Sequence, residues 1–452
     1  MTAWRSCSGF RAVGSGRVCP EPRPLSPERR LILLSALIVF TAVIGSVSGV
    51  FPIEAAGAVQ VGVAYEPLVL PAHVPLAGYS RRRGRPSTGV HDPIGARALV
   101  IQAEQTVAAL VSCDLLIIDE DLFHAIRRRV LAEGLPPQLV LVVTATHTHS
   151  GPGAYGHRFL EKISMGHFDQ RVFDALVEGM ARAVVRAYAA RQPASAAYLA
   201  APTTELVTNR AAADGLVANE LLVTAFYRAQ AAAPFAVLVN FAAHPTTLGA
   251  WNMELSADYP GVMMRELERH IPGARCLFFA GAVGDQAPMK TGDRFERAER
   301  EGQPLAEQVL AMLKEAQPEP LGTVIALQER LILPPAQVRL GPHVTLPRWI
   351  GRQLVDDDAT LSLLRVGRTV YVGTPCDLTA DLGESLKRAA RARGLQPVVI
   401  SFASDYIGYC VSEPFYRSGR YEALMAFNGP RTGSLIVEQF IHMLDAAGRD
   451  RK

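Results

Sequence analysis

The chain has 452 residues, 49% of them hydrophobic, and a formal net charge of +3 at pH 7. This length and composition are typical of a globular protein with one large domain or two ordinary ones. Beyond the basic first thirty residues the charge is close to balanced, and nothing indicates a nucleic-acid partner. The sequence does not determine the oligomeric state.

The N-terminal region has the features of an export or anchor segment. Residues 1–30 are basic, and residues 31–51 are an uncharged run of 21 residues. Such a run is long enough to cross a hydrocarbon layer of roughly 30 Å. Arg29 and Arg30 precede it and Glu54 follows it, so the remainder of the chain is predicted to be extracytoplasmic. A signal peptide cleaved near residues 55–58 and an uncleaved membrane anchor remain as alternatives.

Residues 59–447 show the alternation of an α/β domain, with a mixed β-sheet core flanked by helices. Strands are predicted at residues 59–65, 96–102, 106–113, 138–145, 220–227, 235–242, 275–282, 361–367, 369–375 and 397–404. Helices are predicted at residues 122–133, 170–190, 259–270, 294–315, 380–393 and 433–447. Residues 331–349 are rich in proline and are predicted to form a surface excursion.

Polar residues follow several of these strands. They are Asp114, His147, His149, His244, Asp285 and Asp377. Loops beyond strand ends meet at one edge of an open α/β sheet, where ligand sites are commonly built. We therefore expect a site that combines several of these loops.

The segment TATHTHSGPG is the strongest local signal, because His147 and His149 lie two residues apart after a hydrophobic strand. In extended backbone, residues i and i+2 face the same side, so both rings are predicted to address one point, as a metal site requires. His244, in NFAAHPTT, adds a nitrogen donor, and Asp377 and Tyr409 can supply oxygen ligands. A polar turn with two solvated histidines is the alternative, but the small residues that follow favour the metal site.

The segments THTHSGPG, FAAHPTT, GAVGD and SDYIGYCVSEPFYRSGRYEA together resemble the neutral or alkaline non-lysosomal ceramidases. The resemblance covers most of residues 59–447 and implies the catalytic-domain fold of that family. It also implies a zinc ion held by His147, His244, Asp377 and Tyr409.

The same resemblance implies roles for three further residues. His149 would contact the reacting amide, and Arg210 and Tyr421 would hold the polar part of the substrate. His149 is also the best placed residue to protonate the leaving amine.

Three features depart from the family pattern. Ala287 stands where ceramidases have a serine, which excludes that serine as a nucleophile but leaves zinc-activated water possible. Asp377 replaces the usual glutamate and keeps an anionic oxygen. The chain ends soon after residue 447, so we expect the family's C-terminal β-sandwich domain to be absent.

The resemblance predicts a zinc-dependent amidohydrolase that cleaves ceramide or a similar N-acyl lipid to a fatty acid and an amine. Two alternatives remain open: a zinc hydrolase of another N-acyl compound or cell-wall amide, and a membrane-tethered zinc-binding protein without turnover. A deep apolar cleft beside the zinc would favour an acyl chain, and a wide polar cleft would favour a hydrophilic amide.

Four other residues are expected to be structural. Asp258 is predicted to be the N-cap of the helix that follows it, and Asp92 is predicted to cap a helix or turn. Cys113 and Cys276 lie in apolar strand segments, where a thiol usually behaves as a small buried hydrophobic group.

Overall fold

The computed structural model describes residues 58–341 and 344–448, so the predicted export segment at residues 31–51 lies outside the described residues. Residues 56–452 form one compact unit. Within the described ranges, no helix is long and apolar enough to cross a membrane. The hydrophobic clusters of the described residues lie between Val59 and Ala447, so this unit has a hydrophobic core of its own, as a domain that can fold independently does.

Three mixed sheets form the centre of the unit. The first contains, in spatial order, Val140–Ala145, Thr106–Cys113, Gly95–Ala103, Gln60–Pro67 and Gln192–Pro193. The second contains Arg275–Ala280, Ala236–Phe241, Glu220–Tyr227, Ser195–Pro202 and Glu319–Pro320. The third contains Val324–Ile332, Asp358–Val366, Thr369–Gly373 and Gln396–Ile400. Each sheet joins antiparallel pairs to one parallel pair, which confirms the predicted α/β class with mixed sheets.

Shorter strands and the helices complete the fold. The short strand pairs are Gly89–Val90 with Glu254–Leu255, Val207–Asn209 with Gln286–Pro288, and Asp377–Leu378 with Tyr409–Cys410. The α-helices are Glu120–Ala132, Phe159–Met165, Gln170–Ala189, Asp258–His270, Glu296–Lys314, Arg348–Gly351, Ala380–Arg391, Glu413–Tyr416, Tyr421–Leu424 and Thr432–Gly448. All six predicted helices are confirmed to within about two residues at each end.

The three sheets share one buried apolar layer, to which Leu110, Leu238 and Val398 each contribute from a different sheet. Polar side chains also join the sheets. Ser112 Oγ donates to the Phe278 carbonyl over 2.6 Å, and Asn240 Nδ2 donates to the Val399 carbonyl over 2.8 Å. These contacts fix the strand ends relative to one another, and therefore also the loops that follow them.

The residues expected to be structural are buried, with one correction. Asp258 is the first residue of its helix, with φ +55°, and Ala257 is the N-cap, so the predicted cap was wrong. The Asp258 carboxylate instead accepts from the Thr247 hydroxyl and the Leu248 amide, close after His244. Asp92 accepts from the Ala257 amide over 3.0 Å and does cap this helix start. Both predicted core cysteines are buried.

Candidate metal centre and adjoining cleft

Three histidines converge within the described fold. The Nε2 atom of His147 lies 2.9 Å from that of His244 and 3.2 Å from that of His149. Oδ1 of Asp377 lies 3.6 Å from Nε2 of His147 and 3.8 Å from Nε2 of His244. His147, His244 and Asp377 follow strands of three different sheets, so the site forms where the sheets meet.

Backbone carbonyls determine which ring nitrogens carry hydrogen. Nδ1 of His147 lies 2.6 Å from the Leu116 carbonyl, and Nδ1 of His244 lies 3.1 Å from the Val283 carbonyl. Because a carbonyl only accepts, each Nδ1 donates a hydrogen and each neutral ring has a bare Nε2. Two bare nitrogens cannot hydrogen-bond to each other, but both can donate a lone pair to one cation, so their close approach fits a shared metal ion.

The carboxylate of Asp377 has one free oxygen in the same place. Its Oδ2 accepts the Tyr406 hydroxyl over 2.7 Å, whereas its buried Oδ1 has no hydrogen-bond partner among the described residues. Burial raises the pKa of Asp377 to about 7 and lowers the pKa of His147 to about 3. Neutral imidazoles and a buried carboxylate oxygen form a donor set that fits zinc, and in part manganese or iron.

The local backbone explains why the rings converge, and it corrects the predicted reason. His147 has φ +66° and therefore lies in the left-handed region, not in the extended backbone expected for THTH. Its ring stacks on Phe402 with centroids 3.8 Å apart and planes 3° apart. Phe402 also has a positive φ, of +59°. The predicted convergence is confirmed, but it depends on this turn and on the Phe402 stack.

His149 reaches the cluster beside a glycine. Gly78 has φ +100°, and a Cβ on this residue would lie 2.7 Å from the Cβ, Cγ and Nδ1 atoms of His149. Only glycine leaves room for the ring here. Since one ring nitrogen from each of His147, His149 and His244 lies within 4.8 Å of the other two, the geometry also permits His149 to be a ligand instead of the catalytic residue predicted.

Arg210 connects the other predicted residues. Its Nη2 donates to the Tyr409 hydroxyl over 2.9 Å and to the Gly284 carbonyl over 2.7 Å, and its Nε donates to Glu422 over 3.0 Å. Tyr409 is the register partner of Asp377 in a short parallel strand pair. The Tyr421 ring lies 5.8 Å from the Tyr409 ring, and its side chain is largely exposed. The structure thus brings all seven predicted residues to one region.

Two of the polar residues at strand ends have other roles. Asp114 accepts from the Gly95 amide over 2.9 Å and pairs with Arg97. Asp285 accepts from the Ala380 amide over 2.9 Å, at the start of helix Ala380–Arg391. Ala287 lies in strand Gln286–Pro288, which pairs with Val207–Asn209, the strand directly before Arg210. It is not among the described residues that line the cleft.

A cleft of about 550 Å³ adjoins the histidines and reaches His147, His149, Asp377, Tyr409 and Tyr421. Much of its lining is apolar, with contributions from Leu160, Ile163, Met165, Val338, Leu340, Leu354, Val355, Leu424, Met425 and Phe427. Part of this lining comes from helix Phe159–Met165, which was not predicted, and part from the predicted surface excursion at residues 331–349. A cleft with a largely apolar lining favours an acyl chain over a hydrophilic amide as its ligand.

Sequence reasoning missed four residues that shape the site. Tyr406 and Glu422 orient Asp377 and Arg210 respectively, Phe402 stacks on His147, and Gly78 makes room for His149. Tyr406 lies three residues before Tyr409 in the motif SDYIGY, so its position gave a signal. The sequence around Gly78 contains no such signal, because the role of Gly78 depends on a contact with His149, 71 positions away.

Fold and site together define an α/β protein with a buried histidine cluster, able to hold a metal ion, beside an apolar cleft. Residues 69–294, half of the chain, match the family described as neutral/alkaline non-lysosomal ceramidase, N-terminal. The chain therefore belongs to this ceramidase family.

Curated relatives match parts of the chain. The neutral ceramidase of Pseudomonas aeruginosa is 35% identical over 130 residues, which are 27% of this chain and 19% of the relative. Neutral ceramidase A of Dictyostelium discoideum is 25% identical over 283 residues, which are 55% of this chain and 38% of the relative. A neutral ceramidase of Mycobacterium tuberculosis is 22% identical over 449 residues, which are 77% of this chain and 70% of the relative. The first two alignments therefore cover well under half of each relative's length.

Solved structures show the same fold. The crystal structure of neutral ceramidase from Pseudomonas aeruginosa superimposes with a TM-score of 0.77 at 21% identity, and covers 86% of this chain and 74% of that one. A ceramidase structure described as complexed with C2 has a TM-score of 0.78 at 20% identity, covering 86% of this chain and 75% of that one. These likenesses confirm the predicted ceramidase catalytic-domain-like architecture.

Proposed function

We propose that the protein is a zinc-dependent amidohydrolase that cleaves the N-acyl bond of ceramide or a closely similar lipid. The observation that carries this proposal is a set of bare Nε2 atoms and an unpartnered carboxylate oxygen beside an apolar cleft. The names of the relatives, all neutral ceramidases, support the same substrate class.

His147, His244 and Asp377 would hold the ion, with Tyr409 or His149 as a further ligand. Zinc bound there would polarise the amide carbonyl and lower the pKa of water toward about 7. The anchored Nδ1 atoms of His147 and His244 hold both rings in place, and the Tyr406 hydroxyl fixes the carboxylate. Ala287 supplies no hydroxyl nucleophile.

His149 is suited to move the proton if it is not a ligand. Burial holds its pKa well below the ordinary histidine value, so the ring is neutral near pH 7. A neutral Nε2 accepts a proton from the attacking water, and the imidazolium then delivers that proton to the amine nitrogen as the C–N bond breaks. The products are a carboxylate and a free amine.

Arg210 and Tyr421 are suited to bind the polar part of the substrate. Arg210 is held on two sides by Glu422 and Tyr409 and keeps a quarter of its side chain exposed. A fixed guanidinium beside the carbonyl stabilises negative charge that develops on its oxygen. The apolar walls of the cleft would hold the acyl chain and exclude water.

The test measures metal content and hydrolysis of a fluorescent ceramide by residues 56–452. Wild type is compared with His147→Ala and with His124→Ala, a control whose histidine is half exposed on helix Glu120–Ala132. We expect about one zinc per chain and turnover in wild type and in the control, and loss of both in His147→Ala. Bound zinc without ceramide turnover would point to another N-acyl substrate or to a binding role, and absence of stoichiometric metal would refute the proposal.

We further propose that the protein acts outside the cytoplasm, exported or anchored by residues 31–51. The uncharged run that follows Arg29 and Arg30 supports this localisation. Protease treatment of intact cells tests it, because an extracytoplasmic domain is digested without lysis whereas a cytoplasmic one is protected.

A further inference from the structure

Large apolar side chains are exposed on two segments that border the cleft. Phe159 and Ile163 are 67% and 48% exposed on helix Phe159–Met165. Leu340, Val344 and Trp349 are 65%, 54% and 68% exposed on the segment from residue 338 to residue 351. We name these five residues the rim patch. Apolar side chains grouped at the mouth of a cleft mark a contact surface.

Both segments line the same cleft. Leu160 of the helix and Val338 of the second segment line it together. In the second segment, the Leu340 amide donates to the Val344 carbonyl and the Leu346 amide donates to the Val338 carbonyl, each over 2.8 Å. These bonds pair residues 338–340 with residues 344–346. The rim patch is therefore part of the folded edge of the cleft.

Basic side chains adjoin the rim patch. Arg81, Arg83 and Arg85 are exposed and form no ion pair within the described residues. Their segment contacts the helix, because the Gly78 amide donates to the Ser164 carbonyl over 3.1 Å and Gly84 packs on Gly166. Exposed Lys162 and Arg348 lie next in sequence to Ile163 and Trp349.

Acidic side chains near the rim patch are already engaged. Asp356 pairs with Arg158, and Glu161 accepts from the Arg158 backbone amide over 2.8 Å. The exposed charged side chains described on residues 80–85, 159–165 and 338–351 are all basic: Arg81, Arg83, Arg85, Lys162 and Arg348. Phenylalanine, tryptophan and leucine combined with lysine and arginine form the composition that binds the interface of anionic membranes.

We propose that the rim patch docks on the surface of an anionic lipid bilayer and orients the mouth of the cleft towards the lipid. The proposal deepens the proposed function and rests on it, because an N-acyl lipid substrate would enter the cleft from that bilayer. A second copy of the chain fits this surface less well, since a symmetric contact would bring the same arginines together. The residues of this surface lie within residues 80–351.

The test is flotation of residues 56–452 with phosphatidylcholine vesicles, either pure or containing about one third phosphatidylglycerol. We expect binding to the anionic vesicles, and a loss of at least about tenfold in partitioning both for Phe159→Ser with Trp349→Ser and for Arg81→Glu with Arg83→Glu. None of these four residues lines the cleft. Val69→Ser with Leu216→Ser is the matched control, because both residues are exposed and neither borders the cleft.

Hydrolysis of a water-soluble short-chain N-acyl amide separates the two proposals. Unchanged hydrolysis in the rim variants, combined with lost vesicle binding, supports docking. Equal binding by wild type and rim variants, or equal binding to neutral and anionic vesicles, would overturn docking whatever the enzyme does. Self-association that the rim variants abolish would instead identify an interface between copies. Vesicle binding without any amide turnover would refute the proposed function alone.

Discussion

The Tyr406 hydroxyl donates to Oδ2 of Asp377 over 2.7 Å and leaves the other carboxylate oxygen directed at two imidazole nitrogens. Tyr406 thereby fixes the orientation of the carboxylate without occupying the oxygen that would face an ion. Hydrogen bonds to metal ligands commonly set both ligand orientation and metal affinity.

Tyr406→Phe is expected to weaken metal affinity by about 10- to 100-fold, because Asp377 loses the donor that orients it. Competition with a chelator of known affinity measures this change. Tyr188→Phe is the control, since its ring stacks with Arg191 at the surface, away from the cleft. Equal affinity in wild type and Tyr406→Phe would show that the hydroxyl does not orient the ligand.

Gly78→Ala is expected to displace the His149 ring, because the added Cβ would lie 2.7 Å from three atoms of this side chain. We expect amide turnover to fall at least about tenfold, as a misplacement of about 1 Å can cost more. Gly134→Ala is the matched control: its φ is also positive, at +83°, but nothing lies within 4 Å of the added Cβ. Similar turnover losses in both variants would attribute the effect to backbone strain.

Glu422→Gln is expected to lower kcat/KM for the amide by about tenfold and to leave metal content unchanged. The charged partner of Arg210 Nε is lost, and hydrogen bonds to charged groups contribute about 1.5–3 kcal/mol. Exposed Glu438 provides a control variant, Glu438→Gln. Loss of metal together with turnover would mean that Glu422 supports the histidine cluster and not only Arg210.

Glu301→Gln is expected to stabilise the protein near neutral pH. Burial raises the pKa of Glu301 to about 9, and its Oε1 has no hydrogen-bond partner among the described residues. The unfolded chain ionises near pH 4.5, so the contribution of Glu301 to stability is fully present below that pH and is lost as the pH rises towards 9. The Glu301→Gln change should therefore raise the free energy of unfolding by about 1–3 kcal/mol at pH 7 and change it little at pH 4.

Denaturant unfolding at both pH values measures the difference. Glu299→Gln, an exposed change on the same helix, should be neutral at both. A stability gain of equal size at pH 4 and pH 7 would contradict the titration argument.

The sequence predicted the fold well where hydrophobic periodicity was strong. It missed strand Ser195–Pro202, whose alanine-rich segment has low strand propensity and is only partly buried. It also missed Val324–Ile332, in which polar and charged residues interrupt the apolar pattern. Both strands form because a neighbouring strand pairs with their whole length, which a local pattern cannot reveal.

The candidate site was likewise predictable only in part. His147, His244 and Asp377 were predictable because each follows a strand, and strand ends meet in α/β folds. The route of the backbone was not predictable: the positive φ of His147 depends on contacts with Leu116 and Phe402, which lie 31 and 255 positions away. The agreement on position and the error on backbone conformation therefore have different physical origins.

The carbonyls of Leu116 and Val283 and the ring of Phe402 contact the rings of His147 and His244 and orient them from within the protein. Contacts within the protein thus preorganise these donors for an ion. A chelator should consequently empty the centre without melting the domain, and returning the ion should restore turnover at the speed of ion binding, with no refolding step. Exposure to a scarce or fluctuating metal supply would then switch the proposed activity off reversibly instead of destroying the protein.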